Sequence, residues 1–130
     1  MIPKFRAWDK RHNEIVSVHE INFKNNTLTT ESIDNGISKD VQMLVFILMQ
    51  STGLKDKNGV EIFEGDIVKV TVNNYGTGER FEQIDKVVYE DCRFCFNDGF
   101  YYSETIKYSG YENKEVIGNV YENPELLEGN

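Results

Sequence analysis

Cysteine, proline and histidine are scarce in this chain, with two of each among 130 residues. Each scarcity removes a class of protein. Pro3 and Pro124 sit near the ends. No proline-rich linker divides the chain, and one domain over residues 1–130 is expected. A zinc site needs four ligands. Cys92 and Cys95 form a single C-x-x-C with no second pair, and His12 and His19 stand at a spacing that no common finger uses. Residues three apart on a strand also point to opposite faces. A thioredoxin-like pair opens a helix after a strand, and no helix is expected after Cys95. The expectation is two small half-buried side chains, with no metal and no cofactor.

Other absences concern chemistry and location. There is no G-x-x-x-x-G-K-S/T phosphate loop and no nucleophile elbow, and Gly76-Thr77-Gly78 is only a loop tip. Nothing places His12 or His19 beside a nucleophile and a carboxylate. The protein is therefore expected not to be an enzyme. The segment MIPKFRAWDKRHNE has no apolar run behind its charges, so no signal peptide is expected. The longest apolar stretch, Met43 to Met49, is far short of the ~20 residues a membrane span needs. A cytoplasmic protein with reduced thiols and no membrane partner is expected.

The chain does have negative charge, apolar residues and aromatic residues. The net charge is −8, yet 39% hydrophobic and 12% aromatic content is too high for a disordered chain. Residues 1–30 carry five basic and three acidic groups, whereas residues 70–130 carry five and twelve. A negative field repels phosphate, so no direct nucleic-acid partner is expected. Only Lys4, Arg6, Lys10 and Arg11 offer a local basic patch.

Turn residues punctuate short apolar runs. A first strand is expected at Lys4 to Asp9, with a polar turn at Asp9 to Asn13 and extended apolar chain from Ile15 to Phe23. Asn25-Asn26 suits a turn, because Asn tolerates the left-handed conformation. A short strand at Leu28 and a polar loop over residues 31–40 follow. The run Val41 to Gln50 is rich in β-branched and aromatic residues, which favours a buried strand over a helix. Ser51 to Gly59 reads as one long turn, with positive φ at both Asn58 and Gly59. Ile67 to Val72 alternates apolar and polar residues as a half-buried strand does. Strands follow at Glu82 to Glu90 and Glu115 to Tyr121, with a hairpin at Arg93 to Tyr102 turning on Asn97-Asp98-Gly99. Asn123-Pro124-Glu125-Leu126-Leu127 reads as a capped single-turn helix. The expected fold is mainly β, as a β-rich α+β domain. It comprises an N-terminal strand meander (1–50), a small SH3-like barrel (51–130) and a short C-terminal helix.

Arg6 and Trp8 share a strand face at i and i+2, and Tyr101-Tyr102 begin an aromatic–polar stretch that continues through Tyr108 and Tyr111. Exposed tyrosines enrich binding surfaces. Arg6, Trp8, Tyr101 and Tyr102 are the candidate interaction surface. Glu61, Glu64 and Asp66 flank one turn; convergent carboxylates bind hard cations, but turn acids more often accept nearby backbone amides. Asp66 is assigned that amide-capping role.

Three segments of the chain resemble one family. MQSTGLKDKNGVEIFEGDIV (Met49 to Val68), KFRAWDK (Lys4 to Lys10) and VIGNVYENPELL (Val116 to Leu127) resemble, in order, the motifs of the YopX-like family of phage and prophage proteins. The region 70–114 is that family's variable part. The resemblance implies a phage-encoded protein of the bacterial host's cytoplasm and a strand-rich fold with a barrel-like core. It supplies no catalytic residues. The preferred reading is a non-enzymatic interaction module that binds a host or phage protein or forms a homo-oligomer. Alternatives are an acidic regulator of nucleic-acid transactions that imitates DNA, and a metal-dependent enzyme built on Glu61, Glu64 and Asp66.

Overall fold

Half-buried and buried side chains alternate from Arg6 to Asp9, and in the computed structural model of the chain Phe5–Asp9 is strand β1. The structure describes residues 4–73, 80–90, 93–96 and 114–128. Two units emerge, Met1–Ser51 and Thr52–Asn130.

In the first unit β1 pairs antiparallel with β2 (Glu14–Asn22), β2 with β3 (Thr27–Ser32) and β3 with β4 (Gly36–Gln42). The other edge of β1 takes β5 (Phe46–Lys55), giving the order β4-β3-β2-β1-β5. Ala7, Val16, Leu28 and Phe46 are buried on one face, with Val18, Ile21, Val41 and Leu48 packed around them.

The connection between the outer strands of this run sets the sheet's curvature. β4 and β5 lie four strand spacings apart, which in a flat sheet is ~19 Å. Only Met43–Val45, a single 3₁₀ turn, joins them. The four Cα steps from Gln42 to Phe46 span at most ~14 Å. Moreover, Gln42 pairs with Thr27 at the end of the sheet where β2 finishes, while Phe46 pairs with Asp9 at the end where β2 begins. The sheet must therefore curl until its two outer strands approach. Met43 and Val45 pack on the apolar cluster, so the curl is towards the core face.

In the second unit, the far end of β5 continues beside β6 (Glu61–Phe63): Thr52 Oγ1 donates to the Ile62 carbonyl at 2.7 Å. β7 (Asp66–Asn73), β8 (Arg80–Glu90), β9 (Arg93–Phe96) and β10 (Lys114–Asn119) form an antiparallel sheet in the order β10-β7-β8-β9. Ile62, Val68, Val70 and Val87 form its core, with Leu54 and Val116 packed against them. The fold is mainly β and antiparallel. Among the described residues no strand pairing closes either sheet into a barrel.

Several local expectations are corrected. Residues 31–40 are not a loop: β3 continues to Ser32, the chain turns over residues 33–35, and β4 begins at Gly36. Its polar residues mark a solvent-facing outer strand rather than the lack of one. Val41 to Gln50 is not one strand, because the 3₁₀ turn at Met43–Val45 carries the chain from β4 to β5. β5 then runs on through Lys55, into the segment read as a turn. The turn itself is three residues, 57–59, between Asp56 and Val60. The Asp56 amide donates to the Val60 carbonyl at 2.8 Å, and the Gly59 amide donates to the Asp56 carbonyl at 3.1 Å. Gly59 is left-handed at φ +80°, and Asn58 is not. A three-residue hairpin loop needs only one such residue, after a type I turn. The hairpin turn at Asn97-Asp98-Gly99 lies outside the described residues.

The C-terminal element is a four-residue 3₁₀ turn, Pro124–Leu127. Asn123 does not cap it with its side chain. Its Oδ1 instead accepts from the Asn119 amide at 3.2 Å, directly over Gly118. A Cβ on Gly118 would meet Asn123 Oδ1 at 2.6 Å, Cγ at 2.8 Å and Cβ at 2.9 Å. Gly118→Ala is therefore expected to displace Asn123 and cost about 2 kcal/mol. Urea unfolding of the variant reads this directly; a midpoint equal to wild type would show that Asn123 moves freely.

Candidate functional site

Strand alternation puts Arg6 and Trp8 on the face of β1 opposite Ala7 and Asp9. The register sets Ser17 and Met49 beside Arg6, and Ile15 and Ile47 beside Trp8. Both side chains are half-buried, and Arg6 Nη2 points at Met49 Sδ, 3.6 Å away. The face is a mixed apolar and cationic strip. Tyr101 and Tyr102 lie outside the described residues, as do Tyr108, Tyr111, Cys92 and the side chain of Cys95.

The β1–β2 turn, read from sequence only as polar, holds a knot of charge. Asp9 is 2% exposed. Its Oδ1 accepts from the Arg11 amide at 2.9 Å and Arg11 Nε at 3.1 Å, and its Oδ2 accepts from Arg11 Nη2 at 3.0 Å. His12 Nδ1 lies 3.0 Å from the same Oδ2. An ionised carboxylate only accepts, so that nitrogen carries the proton. The Arg11 guanidinium also lies over the Phe46 ring, 5.4 Å from its centroid. The signal in the sequence was an acid followed at two and three positions by Arg and His within a tight turn.

Burial by itself would raise the Asp9 carboxyl. The Arg11 and His12 hydrogen bonds and the Arg11 charge outweigh it and bring the pKa from 3.8 down to about 2. The folded carboxyl thus binds its proton less tightly than the unfolded one, and folding is favoured where it is ionised. That contribution, about 2 kcal/mol, is complete above about pH 4. It is lost as the pH falls towards 2. The expected result is a stability plateau down to about pH 4, a fall below it, and a shallower fall in Asp9→Asn. Equal acid limbs in the two proteins would overturn this assignment.

Glu14 completes a constellation of ligand type. Ligand atoms of Asp9, His12 and Glu14 lie within 4.8 Å of one another, the one such group among the described residues. The Asp9 oxygens are already taken up by Arg11 and His12, and Glu14 Oε1 accepts from Asn35 Nδ2 at 3.1 Å. Hydrogen bonds from Ser32 and Asn35 hold the Glu14 carboxyl below its ordinary range. The arrangement ties the β1–β2 and β3–β4 turns together.

The carboxylates of the second unit turn towards backbone. Asp66 Oδ2 accepts from the Phe63 amide at 2.8 Å, the capping role expected of it. Asp56 does more. Its Oδ1 accepts from the Asn58 and Val60 amides at 2.8 and 2.9 Å, and its Oδ2 from the Val116 amide at 2.9 Å. The Lys57 amide donates to the Lys114 carbonyl at 3.0 Å. Residues 56–57 thus cover the outer edge of β10.

Bulky apolar side chains in the open were missed from sequence. Phe23 is 79% exposed and Leu44 73%; they lie in two turns joined by a 2.8 Å bond from the Met43 amide to the Asn26 carbonyl. Ile33, in the β3–β4 turn, and Ile37, just after it on β4, are 104% and 59% exposed. Ile33 sits in a segment so polar that hydropathy gave no cue.

Among the described residues no helix is long and apolar enough to cross a membrane. The family model described as YopX protein matches residues 4–128. Two crystal structures are similar to the chain. Protein EF1440 from Enterococcus faecalis is 34% identical with a TM-score of 0.66, the match covering 98% of this chain and 99% of that one. Protein yopX from Bacillus subtilis is 26% identical with a TM-score of 0.63, covering 97% and 96%. No curated protein matches.

Proposed function

We propose, since the chain belongs to the YopX family, that it is a non-enzymatic, phage-encoded protein that acts in the bacterial cytoplasm by binding another protein or assembling with itself. The observation that carries this reading is the exposure of Phe23, Ile33, Ile37 and Leu44 in the first unit. Contiguous apolar groups left in water mark contact surfaces, and Phe23 and Leu44 stand in two turns that a backbone hydrogen bond joins. Residues 1–51 hold six basic and six acidic side chains, so no net charge keeps partners away from them. Arg6 and Trp8 belong to the proposed surface as neighbours on one strand face, together with Tyr101 and Tyr102. The proposal includes a small SH3-like barrel in residues 51–130, for which the antiparallel order β10-β7-β8-β9 is the support.

The test combines sedimentation across a concentration series with affinity capture from host extract, for wild type and for the double variant Phe23→Ser, Leu44→Ser. Self-association or a specific partner in wild type, weakened at least tenfold in the variant at unchanged melting temperature, is the expected result. A monomeric wild type that captures nothing specific would end this reading.

A second reading, an acidic regulator that occupies a host DNA-binding protein, is favoured by the charge distribution. Residues 52–130 carry eight basic and sixteen acidic side chains, the whole of the net −8. A partner held that way is released by moderate salt, since screening acts over about 8–10 Å. Retention at 0.5 M salt would rule it out.

A further inference from the structure

We draw no further inference here: the strongest candidate, the Asp9–His12–Glu14 cluster at the β1–β2 turn, has Arg11 already seated on the Asp9 carboxylate and no second observation that points to an ion.

Discussion

Asp56→Ala is expected to lose about 4 kcal/mol of stability, the largest effect of any single substitution considered. The carboxylate is 2% exposed and accepts three backbone amides, two from its own turn and one from Val116. Hydrogen bonds to a charged group contribute about 1.5–3 kcal/mol each, and donors left buried without an acceptor cost a further desolvation penalty. The sum is discounted because the three bonds share one carboxylate and water can reach the turn. The amides also explain the lowered carboxyl pKa, which burial would otherwise raise. Asp56→Asn keeps the shape but turns a donor towards one of the amides, so it is expected to recover less than half of the loss. Two measurements check this. Guanidinium unfolding gives the free energy, and amide hydrogen exchange at Val116 reports whether the edge of β10 has opened. A loss under 1 kcal/mol with Val116 still protected would show that the turn and β10 hold without the carboxylate.

Leu28→Ala is expected to cost about 3 kcal/mol, mostly through the cavity it leaves. Leu28 is fully buried, opposite Ile21 on β2 and Val41 on β4, and clusters with Ala7, Val16 and Phe46. The curl of the sheet limits how far these neighbours can collapse into the space. Leu28→Met keeps the volume and is expected to cost under about 1.5 kcal/mol. Trp8, the one tryptophan, sits on β1 in the same unit, so its fluorescence follows the unfolding transition. Equal midpoints for the alanine and methionine variants would mean the site relaxes and the core is not fixed there.

How much of this was legible depended on range. Alternation within one strand marked β7, the polar turn after Asp9 marked the end of β1, and Asn25-Asn26 marked a turn in which Asn26 is left-handed at φ 54°. These signals lie within a few residues. The polar run at 31–40 was misread because β4 is an outer strand, and such a strand shows no apolar face to the sequence. The break at Met43–Val45 was invisible for a different reason. It exists because the chain must reach the far side of β1, a requirement set by a register some forty residues away. Asp66 was assigned its amide from the Gly-Asp turn alone. The third amide on Asp56 comes from 60 residues downstream, and no local pattern announces it. Arg6 and Trp8 do share a face, but both are half-buried, while the most open apolar residues stand in turns that polarity hid.

The late arrival of β5 orders the birth of the protein. The meander β1 to β4 pairs only near neighbours in sequence, so it can zip up as it is made. The second edge of β1 waits for partners such as Met49, which faces Arg6 across 43 positions. At translation rates of about 5–20 residues per second, that edge stays bare for ~2–9 s. Through this interval the nascent chain presents an open strand with Trp8 on it, and the 3₁₀ turn at Met43–Val45 is the step that swings the cover into place.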